Sequence, residues 1–225
     1  MDTRTMRRGV AIALLASGVA AASPAATPET GCPGSWIDSG EATFYDAFGQ
    51  PNACGLPLTS GEYVVAVAAA AFDGSAVCGR CLRITGPLGS VVARITDYCV
   101  GSSCRDLDLS PNAFAAIGNP LDGILSVGWE SVSCDVEGPI AFHFDAASNP
   151  YYAKIQVRNH RYGIAGLAIA EAGQPFVELD RSSDNAFEFV SGVAPIAAPL
   201  SLRVSDLHGA MLEEAVPALT PGEVI

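Results

Sequence analysis

The distribution of cysteine is the sequence feature that most constrains how this chain folds. All seven cysteines lie between positions 32 and 134, and positions 135–225 contain none. Clustered cysteines in an exported chain are typical of a disulfide framework. The pattern therefore predicts a cross-linked first domain, followed by a second domain without cysteines.

Spacing alone leaves two other uses of the cysteines open. Cys78-x2-Cys81 and Cys99-x4-Cys104 resemble paired zinc ligands, and Cys78-x2-Cys81 also has the spacing of a thioredoxin-like redox pair. Disulfides are favoured because the chain carries an export signal and no βαβ pattern surrounds the pair. The odd count leaves one thiol over, which we expect to be Cys32. The three histidines show no metal-ligand spacing, so we predict no metal and no cofactor.

The N-terminus has the features of a secretory signal peptide, predicted over residues 1–22. Three arginines precede an apolar run at positions 9–22, which ends in an Ala-x-Ala cleavage motif. The run is too short to span a bilayer. A buried helix, the alternative interpretation, does not explain the basic residues at its start. We expect a secreted, extracellular protein with a flexible lead-in over residues 23–35.

The chain is strongly acidic. It has 24 acidic against 12 basic residues, a formal net charge of −12. Cleavage after Ala22 would remove three arginines and one aspartate, a net +2, and leave −14. Such a chain lacks the basic surface that nucleic-acid phosphates and anionic membranes require. We therefore expect neither as a partner, and we expect a monomer.

The pattern of apolar residues predicts an all-β chain with two domains, residues 36–135 and 138–225. The first has short strands and one helix, over 112–117, with Ser110 at its N-cap. Six short strands and one small helix in about 100 residues suggest a closed barrel. The second alternates apolar and polar residues, with turns about every ten residues, which is typical of an immunoglobulin-like antiparallel sandwich.

Two acids of the first domain stand out by their neighbours. Asp97 follows an apolar strand, and Asp108 lies between two leucines just before the predicted helix. An acid with leucine on both sides is more than a solvated surface charge. Asp108 is either a cap for the helix N-terminus or a carboxyl whose pKa is raised in an apolar rim. The two acids are able to line one groove, as paired carboxyls do in glycoside hydrolysis.

The pair Tyr151-Tyr152 opens a predicted strand of the second domain. Neighbours in a strand point to opposite faces, so one ring is expected to be buried unless a bulge or twist exposes both. Exposed rings on a flat sheet stack well on sugar rings. One core tyrosine and one surface tyrosine is the alternative that remains open.

Taken together, several motifs resemble the expansin family. They run in the family's order over nearly the whole mature chain, and they are similar to those of secreted microbial members. The motifs are GEATFY at 40–45, NACG at 52–55, CGRC at 78–81, TD at 96–97, LDLSPNAF at 107–114 and YYAKIQVRNH at 151–160.

The resemblance implies a double-psi β-barrel followed by a sandwich of the family-63 carbohydrate-binding kind. It implies a non-enzymatic protein that loosens plant-type walls by disrupting contacts between cellulose and matrix glycans, which would be its partners. Thr43, Asp97 and Asp108 match the family's barrel-groove positions, with Asp108 matching the essential acid. Tyr151 and Tyr152 match two of the three aromatic positions that bind cellulose.

The resemblance also implies disulfides. By similarity to the cysteine-bearing members, the pairs are Cys54 with Cys78, Cys81 with Cys134, and Cys99 with Cys104.

The chain departs from the family pattern at several places. Cys99 stands where microbial relatives often have Tyr. The third aromatic position aligns near Asp184, for which neighbouring Phe187 is the candidate substitute. Many relatives are basic, whereas this chain is acidic.

Two other functions compete with wall loosening. Asp46 falls near the catalytic base of family-45 endoglucanases, so a lytic enzyme using Asp46 with Asp108 is the runner-up. A turn residue is the more ordinary use of Asp46. A purely adhesive carbohydrate-binding protein is the third candidate.

Overall fold

Six strands of the cysteine-rich half close into a barrel. The structure is a computed structural model that describes residues 36–191 and 194–225; the predicted signal peptide, the lead-in and Cys32 lie outside these residues. The strand order is β1-β5-β2-β4-β3-β6, which confirms the predicted closed barrel. The strands are β1 (Ile37–Phe44), β2 (Val64–Ala68), β3 (Cys81–Gly86), β4 (Gly89–Cys99), β5 (Leu107–Leu109) and β6 (Leu125–Val132).

Alternation of apolar residues explains how the barrel strands pack. In the hairpin of β3 and β4, Ile84 pairs with Val91, and both side chains face the core. Strand β5 cannot be predicted from the sequence, because its three residues, Leu-Asp-Leu, are too few to show the alternation of a strand. It runs parallel to β1 and antiparallel to β2.

The single α-helix of the described residues is α1 (Pro111–Ile117), as the sequence predicts. Pro111 occupies its first turn, and Phe114 is fully buried in the barrel core. Ser110 holds the N-cap position, but its hydroxyl accepts a hydrogen bond from the Val64 amide (3.2 Å) instead of capping the helix. No helix in the described residues is long and apolar enough to cross a membrane.

The second half forms two four-stranded sheets, which confirms the predicted sandwich class. One sheet has the order β10-β9-β13-β14 and the other β11-β12-β8-β7. Their facing side chains make a second hydrophobic core. The strands are β7 (Ala141–Phe144), β8 (Tyr152–Arg158), β9 (Ile164–Glu171), β10 (Val177–Glu178), β11 (Asp180–Arg181), β12 (Phe187–Val190), β13 (Leu200–Asp206) and β14 (Met211–Val216).

Two of these strands carry no clear sequence signal. Strand β9 has four consecutive buried residues, 167–170, so its pattern does not alternate cleanly. Strand β14 is an edge strand that is exposed over five of its six residues. Neither pattern resembles the half-buried strand that alternation detects.

Close contacts join the barrel to the sandwich. The Gln156 side chain donates from Nε2 to the Cys54 carbonyl (2.8 Å), and the Cys134 amide donates to the Arg161 carbonyl (2.8 Å). Gly79 lies against the His160 ring, and a Cβ at this glycine would stand 2.6 Å from ring atoms Cε1 and Nε2. Gly79 also has a φ of +73°, which favours glycine.

We predict that Gly79→Ala lowers the free energy of unfolding by about 2–4 kcal/mol. Positive φ accounts for about 1 kcal/mol, and the clash with the His160 ring adds about 1–3 kcal/mol. Gly61→Ala is the matched control, because Gly61 has a φ of +84° but a Cβ added there would meet no atom within 4 Å. Urea unfolding at neutral pH measures both, and equal losses in the two variants would contradict the contact.

Candidate functional site

A row of side chains crosses four barrel strands. Asp97 of β4 pairs with Ala66 of β2, Ala66 pairs with Asp108 of β5, and Asp108 pairs with Thr43 of β1. Paired residues in a sheet point to the same face. The Cα atoms of the two acids are therefore two strand spacings apart, roughly 9–10 Å. The barrel thus brings all three predicted groove residues onto one face.

Asp108 is held on this face by its neighbours. Leu107 and Leu109 point into the barrel core and are fully buried, so the carboxyl between them points away from the core. The Thr43 hydroxyl donates from Oγ1 to Asp108 Oδ1 (2.8 Å). Burial raises the pKa of Asp108, and the bond from Thr43 partly opposes the rise. No helix N–H of the described residues bonds this carboxyl, so the geometry favours the apolar-rim interpretation over the helix cap.

Asp97 is fixed by backbone donors. Its Oδ1 accepts from the Ala53 amide (3.1 Å) and from the Tyr98 amide (2.9 Å). The first of these bonds ties the carboxylate to the segment 52–55. That segment in turn contacts the sandwich through the Cys54 carbonyl. Asp97 is therefore linked to the second domain through a single stretch of backbone.

Tyr45 is a site residue that sequence analysis missed. Burial, and then the charges of Asp97 and Asp108, raise the pKa of its hydroxyl, which places the ring near both acids. Its hydroxyl is buried beside the Thr96 hydroxyl, and neither completes a well-formed hydrogen bond with a described residue. Strand periodicity offered a signal, because Tyr45 follows Thr43 by two positions.

Within residues 36–191 and 194–225, three disulfides join the pairs that the family resemblance implies. They are Cys54–Cys78, Cys81–Cys134 and Cys99–Cys104. The third closes a short loop that begins at Cys99, two positions after Asp97, where the chain departs from the family pattern. The six cysteines in these bonds are unavailable as zinc ligands or as a dithiol pair.

Asp46 lies outside the row. It is exposed, and its Oδ2 occupies the space that a Cβ on Gly49 would take. The carboxylate thus packs against the turn that follows β1. This position matches the turn interpretation of the sequence.

Neither predicted platform tyrosine is buried. Tyr151 lies in the turn before β8 and is 54% exposed, so strand alternation does not apply to it. Its amide donates to Asn149 Oδ1 (2.9 Å). Tyr152 is the first residue of β8 and is half-buried; burial and the nearby charge of Glu188 raise the pKa of its hydroxyl.

The expectation that Phe187 completes the platform is wrong. Phe187 is only 2% exposed and pairs across the sheet with Ile155, which belongs to the sandwich core. Its ring lies beneath the Arg181 guanidinium at 4.4 Å. Both faces of the ring are therefore enclosed by protein. Asp184, at the aligned third position, instead makes an ion pair with Lys154 (2.6 Å).

A hollow lined mainly by polar and charged residues, called the polar hollow below, lies where the barrel segment 52–55 meets the sandwich. Its volume is about 320 Å³, at the lower end of the range of about 300–1,000 Å³ for small-molecule sites. The barrel contributes the segment 52–55, and the sandwich contributes charged and polar side chains of β7, β8 and the β11–β12 turn. The charged and histidine side chains are His143, Asp145, Lys154, Arg158 and Asp184.

Another hollow, of about 550 Å³, lies at the junction beside His160. This histidine is buried, its Nδ1 is 2.7 Å from the Tyr162 carbonyl, and burial lowers its pKa to about 4. His208 packs edge-to-face against Tyr162, with the ring centroids 4.6 Å apart. Within the described residues, no three His, Cys, Asp or Glu side chains are grouped to hold a metal.

Comparison with known sequences identifies relatives of both halves. A model of the Barwin family matches residues 60–134. Expansin-YoaJ of Bacillus subtilis (strain 168) is 30% identical over 145 residues, which is 64% of this chain and 61% of the relative. Expansin-like protein 2 of Dictyostelium discoideum is 31% identical over 183 residues, 76% of this chain and 44% of the relative. The chain thus spans less than two thirds of either relative.

Solved structures extend the likeness to both domains. Apo expansin of Clavibacter michiganensis is 30% identical and superposes with a TM-score of 0.75, covering 84% of this chain and 95% of that one. A mutant of the same expansin, in complex with cellohexaose, gives a TM-score of 0.74 at 29% identity with the same coverage. The chain belongs to the expansin family.

We predict that Asp108→Asn stabilises the fold at pH 7 but not at pH 3. Because the pKa of Asp108 is raised in the folded state, ionisation costs the folded state more than the unfolded state. This cost is absent below the unfolded pKa of about 3.9 and grows as the pH rises through the folded value.

Urea unfolding at the two pH values tests this, with exposed Asp46→Asn as the control that should change little. A loss of stability in Asp108→Asn at pH 7 would contradict the assignment of Asp108 to an apolar rim.

Proposed function

We propose that this protein binds cellulose-type glycans of plant cell walls through the Tyr151–Tyr152 face and loosens them without hydrolysis through the barrel row. One observation carries the proposal: in an expansin-family chain, the backbone of residues 53–54 joins the row Thr43, Asp108 and Asp97 to strand β8, which begins at Tyr152. A mutant of the Clavibacter relative binds cellohexaose, which supports the same class of ligand here.

The tyrosines supply the binding surface. Sugar rings carry apolar C–H faces, and aromatic rings at wet interfaces contribute about 1 kcal/mol or more each. Tyr151 has the larger exposed area, whereas Tyr152 is half-buried and held by β8. Ring faces of this kind bind polysaccharide without needing charge, which suits an acidic protein.

The barrel row supplies polar contacts to the glycan. A carboxyl with a raised pKa, such as Asp108, is able to donate as well as accept a hydrogen bond when it is protonated. Thr43 fixes its orientation. Hydrogen bonding to a twisted glycan strand competes with the bonds that the strand makes to its neighbours, and no covalent step is required.

A lytic glycan-cleaving enzyme is the second candidate, because two acids share one barrel face. Inverting hydrolysis needs an acid and a base about 6.5–9.5 Å apart. Against this candidate, Asp97 Oδ1 already accepts two backbone hydrogen bonds. Asp46, the other candidate base, packs against its own turn.

We predict creep of heat-inactivated plant wall under load, without release of soluble sugar. Asp108→Asn should abolish creep and leave cellulose binding intact, because only the row is changed. Asp46→Asn is the control and should creep normally. Release of oligosaccharide from β-glucan that is lost in both Asp108→Asn and Asp46→Asn would establish the lytic enzyme instead. Cellulose binding without creep would establish an adhesive protein.

We predict that Tyr151→Ala/Tyr152→Ala weakens binding to cellulose at least about tenfold, because two stacking contacts of about 1 kcal/mol each are lost. Depletion isotherms measure the affinity, and circular dichroism checks the fold. Phe187→Leu, a core change, is the control that keeps the surface intact. Wild-type affinity in the folded tyrosine variant would reject the platform.

We predict that moderate salt leaves wall binding unchanged or raises it. The chain carries −12, and pectin is a polyanion, so salt screens a repulsion. Lys154 and Arg203 in the second domain are already paired with acids. Binding to pectin-rich wall is measured across a salt series, with pectin-free cellulose as the reference. A steep fall with salt would contradict the prediction.

A further inference from the structure

The residue next to the tyrosines on the sheet face is charged, not aromatic. Lys154 lies two positions after Tyr152 in β8 and therefore on the same face of the sheet. Its Nζ lies 2.6 Å from Asp184 Oδ2 and 3.6 Å from Glu188 Oε1. The aromatic surface that is able to stack on sugar rings therefore ends at Tyr152, and a polar patch begins at Lys154.

The ion pair is held in a fixed geometry. Asp184 Oδ2 accepts from Lys154, and Asp184 Oδ1 accepts from the Ser182 hydroxyl (2.5 Å). The bond to Asp184 raises the pKa of Lys154. Burial opposes ionisation of Asp184, but its bonds to Lys154 and Ser182 lower its pKa overall. The pair is therefore charged at ordinary pH, and the Asp184 side chain is still 53% exposed.

The polar hollow continues from this pair. Lys154 and Asp184 line it together with Arg158. Arg158 donates from Nε to Gln156 Oε1 (2.5 Å), and its two terminal nitrogens have no acceptor among the described residues. The hollow therefore offers fixed donors and a fixed carboxylate, which suit hydroxyls that both donate and accept.

We propose that Lys154 and Asp184 form a hydrogen-bonding sugar subsite beside the tyrosines, so that this face binds single β-glucan chains in preference to crystalline cellulose. A flat crystal face would exclude water from the ion pair, and burial of charge without matched partners is costly. A separate chain dips into the hollow and leaves water on its free side. This inference rests on the proposed glycan-binding function.

The test compares two substrates. We measure binding to soluble mixed-linkage β-glucan by calorimetry and binding to microcrystalline cellulose by adsorption. Both measurements use the full chain and the variant Lys154→Met/Asp184→Asn, whose new side chains have about the same size as the old ones. We expect wild type to prefer the soluble chain. The variant should bind it about tenfold more weakly, since hydrogen bonds to charged groups are lost, with adsorption to the crystal unchanged or raised.

A matched control is available on the other sheet. Arg203 and Glu213 form an ion pair with side-chain exposures of 34% and 56%, close to the 23% and 53% of Lys154 and Asp184. Arg203→Met/Glu213→Gln should leave both substrates unaffected. Should Lys154→Met/Asp184→Asn not fold, Asp184→Asn alone replaces it.

Two results would overturn the inference. One is unchanged binding of the soluble chain by the folded Lys154→Met/Asp184→Asn variant; the other is an equal loss on both substrates. In either case the proposed function survives if Tyr151→Ala/Tyr152→Ala still weakens cellulose binding at least about tenfold. Absence of glycan binding by the wild-type protein would remove the proposed function and the inference together.

Discussion

The Cys54 backbone is the point on which the arrangement of the two domains depends. Its carbonyl accepts hydrogen bonds from Gln156 Nε2 (2.8 Å) and Asn185 Nδ2 (3.3 Å), and its amide donates to the Thr96 carbonyl (3.0 Å). Its sulfur is bound to Cys78. One residue thus fixes the strand that carries Asp97, the barrel interior and the outer face of the second sheet.

Buried polar contacts of this kind specify a geometry more than they stabilise it. Each contributes only about 0.5–1.5 kcal/mol net, whereas an unpaired partner costs about 1–3 kcal/mol. Gln156 is buried between the domains, so sliding the sheet past the barrel would leave its amide unsatisfied. The row of acids and the tyrosine face are therefore held in one relative position. A single glycan strand that contacts both surfaces would require this.

Much of the fold was predictable from local sequence signals. The cysteine cluster, the helix predicted after Ser110 and strand alternation predicted a barrel and a sandwich, and both are present. The misses have physical causes. Strand β5 is too short for a period, and β9 and β14 are buried or exposed along most of their length.

The candidate site was only partly predictable. Asp97 and Asp108 were selected by their sequence neighbours and Thr43 by family motif, and the strand register places all three on one face. Tyr45 was missed because its role depends on neighbours distant in sequence. Phe187 was misassigned because its face depends on pairing with Ile155. The Lys154–Asp184 pair, 30 residues apart, is visible only once β8 and the turn before β12 are assembled.

The most direct test of the account is a crystal structure of the protein with cellohexaose. The account predicts sugar rings stacked on Tyr151 and Tyr152, with the next residue hydrogen-bonded to Lys154 and Asp184 and the chain directed toward Asp97. Oligosaccharide bound instead in the hollow beside His160, or on the other sheet of the sandwich, would contradict it.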